Sequence, residues 1–225
     1  PHAPVISAIG AATALLHETV EHHRVNPSPA DLLEIRSEVL SKIVKMGADV
    51  KTVDVRIEVD APRQIIRASA MGSLPMKGPG VEKSGTSARR LDDLKRRFVE
   101  QGITITEEKS SEWFTRLATL SKKSRWGGWL RRDIPEMIII DHDGVVSWRR
   151  SRAIERLASL RDLAAAVREI AESLSQYGDA GRVLPEMALI VNHRLVNLSG
   201  MIAIDQVVAL AAAECDGLPA DHEVV

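Results

Sequence analysis

Val53, Val55, Ile57 and Val59 alternate without a break with Asp54, Arg56, Glu58 and Asp60. Successive side chains of a strand point to opposite faces, so this stretch predicts a sheet with one buried face and one wet face. The turn-like Ala61-Pro62-Arg63-Gln64 then leads to a second strand near residues 65–70, making a hairpin. Upstream lies a helix with its own start and stop signals. Ser28 is placed as N-cap, Pro29 as the first helical residue and Asp31 as the acidic residue three after the cap. Leu32, Ile35, Val39, Ile43 and Met46 carry its apolar stripe, and Gly47 is placed to end it. Residues 6–24 read as a further helix, with Ile6, Ile9, Ala12, Leu15, Leu16 and Val20 at helical spacing and Asn26-Pro27 as its stop. The first third is thus expected to run helix, helix, hairpin.

From residue 71 to residue 88 the pattern breaks. Gly72, Pro75, Gly78, Pro79, Gly80 and Gly85 interrupt any period, which predicts a linker. Leu91, Leu94 and Phe98 then predict a short basic helix ending at Gly102. The last third contains an internal echo. Pro135-Glu136-Met137 opens one apolar run, a turn at Asp141-His142-Asp143-Gly144 and a second run to Trp148. Pro185-Glu186-Met187 opens another, with a turn at Asn192-His193-Arg194 and a run to Leu198. A helical pattern follows each, so two strand–turn–strand–helix units sharing a sheet are expected. Chance similarity of two hairpins is the plainer alternative.

Composition narrows the function classes. Thirty lysines and arginines face 31 aspartates and glutamates, and a net charge of −1 gives no general argument for nucleic acid or membrane surfaces. Cys215 is the single cysteine, which excludes an internal disulfide and a multi-cysteine zinc site and fits a reducing, cytoplasmic setting. No apolar run reaches the ~20 residues of a membrane span. Pro1-His2-Ala3-Pro4 has neither an initiator methionine nor a signal-peptide pattern, so the chain is expected to begin inside a larger fold.

Four stretches carry candidate chemistry. His17, Glu21 and His22 lie in a histidine-rich run whose helical spacing would let imidazole and carboxylate share a divalent metal. A solvated helix end explains the same residues. The Asp141–Gly144 turn brings carboxylates and an imidazole together, but a tight hairpin turn accounts for all of it. Trp126, Trp129 and Arg131 belong to a cation-rich run, Lys122 to Arg132, suited to protein docking or to plugging the core. No nucleic-acid-binding signature accompanies that run. Cys215 sits between Glu214 and Asp216, acidic neighbours that raise a thiol and argue against a nucleophile. No Walker-type phosphate loop and no G-x-G-x-x-G turn occurs.

The segment His2-Ala3-Pro4-Val5-Ile6-Ser7-Ala8-Ile9-Gly10-Ala11-Ala12 resembles a helix near the end of the hydantoinase/oxoprolinase A-type proteins. In that family His-Ala, a Val and then Ala-[Ile/Val]-Gly-Ala-Ala recur. The wider actin and heat-shock-chaperone ATPase superfamily has a similar helix after its adenosine-contacting glycines, and the diol dehydratase reactivases are more distant relatives. Gly47-Ala48-Asp49 and Thr52-Val53-Asp54-Val55 extend the resemblance over about the first 70 residues. It implies an α/β fold, with an α+β arrangement left open. Residues 1–71 would end an actin-like ATPase lobe, 72–88 would be a linker, and 89–225 a smaller C-terminal module. It also implies ATP and Mg in the parent protein, with Gly10 nearest the nucleotide. The family's phosphate-binding Asp-x-Gly loops lie outside this sequence, so no catalytic residue carries over. The chain is therefore expected to be non-catalytic and to partner the remainder of its own protein and a second subunit or client enzyme, with no nucleic acid or membrane partner. A stand-alone interaction module is the alternative from another class, and a metal-dependent enzyme the next.

Overall fold

The computed structural model describes residues 15–74, 84–125, 130–142, 144–178 and 181–225. It is a mixed α/β protein, about 30% helix and 40% strand, in which every described strand pair is antiparallel. The chain forms two compact units, residues 1–78 with 157–225 and residues 79–156.

In the first unit, β1 (Leu15–His23), β2 (Asp54–Asp60) and β3 (Ile65–Ser73) make a sheet of order β1-β3-β2. The helix α1 (Pro29–Lys45) packs on one face of it. The start signal of α1 works as the sequence predicts. Asp31 N donates to Ser28 Oγ at 3.3 Å, and Ser28 N donates to an Asp31 carboxylate oxygen at 2.8 Å, so two otherwise orphaned groups satisfy each other. Gly47, at φ +106°, turns the chain out of the helix. Leu32, Ile35, Val39 and Ile43 are fully buried against Ile66, Ala68 and Ala70 of β3, which are also fully buried. At about 2 kcal/mol for each large side chain, that stripe drives the docking of helix on sheet. Small residues on β3 let the layers close up. Gly72 continues this, since a Cβ there would lie 2.9 Å from Val53 and 3.1 Å from Ala48.

The same core takes in the far end of the chain. There, β8 (Ala158–Ser159), α3 (Leu163–Leu174), the small hairpin β9 (Gln176–Gly178) and β10 (Gly181–Val183), the hairpin β11 (Ala188–Val191) and β12 (Arg194–Asn197), α4 (Ile204–Glu214) and β13 (Glu223–Val224) follow in order. Leu163, Val167, Leu189, Val191, Val196, Val207 and Leu210 join the α1 stripe in one cluster. Backbone bonds seal it. Val59 N donates to Gly200 O at 3.0 Å, and Ile190 and Val225 exchange bonds at 2.7 and 3.2 Å. Buried Gln206 donates to Pro27 O at 2.7 Å while its Oε1 accepts from Ile202 N and Ala203 N, fixing the start of α4 beside the entry to α1.

The second unit opens with α2 (Ser84–Glu100), followed by β4 (Ile103–Ser110), β5 (Phe114–Arg125), β6 (Leu130–Asp141) and β7 (Val146–Ser151) in a sheet of that order. Phe98 of α2 packs with Ile103, Leu117, Ile138 and Ile140 in a separate core. Leu117 and Ile138 face each other across the β5–β6 ladder.

Several expectations change. The described part of the proposed 6–24 helix is a strand, in register with β3 from Leu15↔Ser73 to His23↔Ile65. Its inward residues are Leu16, Glu18, Val20 and His22, a period of two. The 72–88 linker shrinks, because Gly72 and Ser73 belong to β3 and Ser84 onward to α2; residues 75–83 lie outside the described residues. The compact units do not follow the expected split at 72–88, since residues 157–225 bury their apolar faces with residues 1–78. Both echo hairpins and their helices are present, but they do not share a sheet. The pair β6–β7 belongs to the four-stranded sheet of the second unit, and β11–β12 forms a two-stranded sheet in the first.

Candidate functional site

A charged constellation of the first unit gathers four elements around Glu214, the last residue of α4. Its side chain is 3% exposed. Arg36 of α1 donates from Nε and Nη2 to Oε1 at 2.7 and 2.6 Å, and Arg194 at the start of β12 donates from Nη2 to Oε2 at 2.8 Å. Each guanidinium arrives for a local reason. Arg36 follows the buried Ile35 on the amphipathic helix, while Arg194 follows the tight turn in which Asn192 takes φ +51°, a conformation asparagine tolerates. Asp54, the first residue of β2, is exposed, yet partial loss of solvent around it pushes its carboxyl above the ordinary range. Glu214 pushes the same way, and Arg194 and Arg56 pull it back.

Cys215 caps α4 next to Glu214 and is buried. Burial raises its thiol, and Glu214 raises it further, while Arg194 opposes. A thiol held protonated is a poor nucleophile. Both oxygens of Glu214 are occupied by arginine, so as folded the cluster joins α4 to α1 and β12. Asp54 stands beside it with its carboxyl raised.

A cleft of about 480 Å³ opens beside the β2–β3 turn, lined by Glu58, Asp60, Pro62, Arg67, Gly200 and Ile202 among others. Its charges are paired within the fold. Arg67 donates to Glu21 at 2.6 Å, Arg56 meets Glu58 at 2.8 Å, and Arg63 N donates to Asp60 at 3.1 Å. Gly200 adopts φ +88°, and a Cβ there would press to 3.3 Å on Glu58 Cγ and Ile57 O. That close approach shapes the wall of the cleft.

The strand geometry redistributes the candidate metal residues. His17 and Glu21 share the outer face of β1 but stand roughly 13 Å apart along it, at ~3.3 Å per residue. His22 lies on the opposite face, where Nε2 meets Glu38 at 2.9 Å, and Glu38 in turn meets Lys42 at 2.8 Å. Lys42 above all, then His22, holds the Glu38 carboxyl below its usual range, against a partial loss of solvent. Among the described residues no group of three His, Cys, Asp or Glu is placed to hold a metal.

Gly10, Trp126 and Trp129 lie outside the described residues. Arg131 stands on β6 opposite Ser124, because β5 and β6 stay paired up to Arg125↔Leu130. The cation-rich run is therefore largely ladder rather than loop. At Asp141–Gly144 the turn reading holds. Gly144 takes φ +77°, and Val145 N donates to Asp141 Oδ1 at 2.9 Å. Trp113, from the neighbouring β4–β5 turn, meets the His142 ring edge-on with centroids 5.7 Å apart.

In the second unit, buried Glu136 accepts from Arg149 Nε and Nη2 at 3.1 and 2.5 Å and from Ser151 Oγ at 3.2 Å. Sequence reasoning missed both buried carboxylates. Arg36 and Glu214 are 178 residues apart, and nothing local marks either as a partner. Among the described residues, no helix is long and apolar enough to cross a membrane. No family model, no curated protein and no solved structure matches this chain.

Proposed function

We propose that this chain is a non-catalytic, docking part of a hydantoinase/oxoprolinase A-like ATPase. What carries the docking role is the β5–β6 ribbon. Twelve consecutive registered pairs run from Phe114↔Asp141 to Arg125↔Leu130, and at ~3.3 Å per residue the ribbon extends roughly 40 Å. Lys122, Lys123, Arg125, Arg131 and Arg132 stand in its last rungs, next to Trp126 and Trp129 in the sequence. Tryptophan and arginine are the residue types that most often anchor protein interfaces. The family part rests on the His2–Ala12 motif together with the capped α1 and the hairpin β2–β3 that follow it in order. ATP and Mg would be held by the parent protein, not by these residues. The occupied Glu214 and the protonated Cys215 accord with a structural role for the first unit.

Two measurements test the reading. Calorimetry of the purified chain with Mg-ATP is expected to give no binding heat, and micromolar affinity would overturn the non-catalytic assignment. Affinity capture from the source lysate with the wild-type chain and with Trp126→Ala/Trp129→Ala/Arg131→Ala is expected to lose a partner in the variant. Identical captured proteins would remove the ribbon as the anchor. The family assignment is decided by the sequence encoded ahead of Pro1, where glycine-bearing phosphate loops are expected.

A further inference from the structure

The cleft beside the β2–β3 turn has no part in the docking role just argued. Residues two apart on a strand share a face, as do residues paired across a ladder. Glu58 and Asp60 therefore stand about 7 Å apart on one face of β2, opposite Arg67 and Ile65 of β3. Between them, Val59 N donates to Gly200 O at 3.0 Å and so draws residues 200–202 against the strand edge. The space enclosed, about 480 Å³, falls within the roughly 300–1,000 Å³ of small-molecule sites. Pro62, Ile65 and Ile202 give it apolar walls, and Ile202 is 39% exposed. The cleft lies at the end of the sheet marked by His23↔Ile65, roughly 26 Å from the Leu15↔Ser73 end.

The charges in these walls are engaged but not saturated. Arg56 meets Glu58 Oε1 at 2.8 Å, while Arg63 reaches Asp60 through its backbone N–H at 3.1 Å and its guanidinium at 3.7 Å. A carboxylate offers about four acceptor sites, so both groups keep acceptor capacity, and their side chains are 44% and 42% exposed. Arg67, by contrast, commits its Nε to Glu21 at 2.6 Å. Glu21 first, then Glu58 and Asp60, hold its guanidinium above the usual range, so the field of the two carboxylates reaches across the cleft. The walls thus present acceptors beside apolar surface.

We propose that this cleft binds a small organic amine, with its ammonium between Glu58 and Asp60 and its apolar body against Pro62, Ile65 and Ile202. An ammonium brings three donors and a charge that shortens and strengthens each bond to a carboxylate. A neutral alcohol of the same shape brings one donor, and a small carboxylic acid would set a like charge against Glu58 and Asp60. The inference draws neither on the ATPase relationship nor on the β5–β6 ribbon.

The test is an NMR titration of the isotope-labelled full chain with three compounds of one shape, isopentylamine, isopentanol and isovalerate. The amine is expected to shift the amides of residues 58–67 and 200–202 and to bind roughly fivefold or more tightly than the alcohol, with no binding of the acid. Glu58→Gln/Asp60→Asn keeps the shape of both side chains and is expected to weaken the amine roughly tenfold while leaving the alcohol unchanged. Asp216→Asn/Asp221→Asn makes the same change in charge at exposed positions elsewhere and is expected to leave the amine unaffected. The compound series needs no change to the protein. Equal binding of the alcohol, preference for the acid, or the absence of amine-dependent shifts in these residues would each overturn the proposal. Tighter binding of Nα-acetyl-lysine amide would also overturn it, by assigning the cleft to a protein side chain.

Discussion

Replacing Glu214 by glutamine keeps the side-chain volume and removes the charge that holds two arginines. The wild-type carboxylate accepts three charge-assisted bonds at 2.6 to 2.8 Å with its side chain 3% exposed. Breaking one partner of a buried ion pair costs about 3–5 kcal/mol. Here the lower end applies, about 3 kcal/mol, because the Arg36 and Arg194 side chains keep 18% and 30% exposure and can turn toward water. For a domain of this size that is a fall in Tm of roughly 6–12 °C. Amide exchange in α1 and α4 reads the first unit directly, while tryptophan fluorescence reads the second, since every tryptophan lies within residues 79–156. Glu214→Gln is expected to speed exchange in α1 and α4. A companion variant, Arg36→Met/Arg194→Leu/Glu214→Met, replaces the whole cluster by apolar volume and is expected to recover most of the loss. The reasoning fails if Glu214→Gln lies within about 0.5 kcal/mol of wild type, or if the triple variant is no better than the single.

Three further outcomes follow from local geometry. Gly72→Ala places a methyl 2.9 Å from Val53 and is expected to cost about 1–3 kcal/mol in urea denaturation; a stabilised variant would show that the β3–Val53 approach is looser than described. Ser28→Ala removes the acceptor for Asp31 N and is expected to cost about 1 kcal/mol, with exchange accelerated in the first turn of α1. Asp54 has a carboxyl raised by folding, so its contribution to stability is fully present below the unfolded carboxylate pKa and is lost as pH rises through the folded value. Asp54→Asn is expected to flatten the stability–pH curve over that window, and an unchanged slope between acid and neutral pH would refute the assignment.

What could be read from the sequence was local. The cap of α1 is written in Ser28, Pro29 and Asp31, and the β2–β3 hairpin in strict alternation around Pro62, because both signals act over a few residues. β1 was misread because positions four apart share a face under either period. Leu16 and Val20 therefore satisfy helix and strand alike, as do His17 and Glu21, which a helix would hold within about 6 Å and a strand sets roughly 13 Å apart. The Glu214 cluster left no trace, since its charges come from positions 36, 54, 194 and 214 and meet only after the two ends of the chain share a core.

A body whose two halves are separated by another has an order of birth. As the ribosome elongates, α1 and its three-stranded sheet emerge ahead of residues 157–225, before Val196, Val207 and Leu210 can join Val39, Ile43 and Val55 in their shared core. The intervening segment can settle in the meantime, since its own core is complete by Ile140. The earlier-made half must wait for residue 157 and beyond, holding greasy surface open through the synthesis of some eighty residues. Apolar surface held open during such an interval is what makes a nascent chain prone to aggregate.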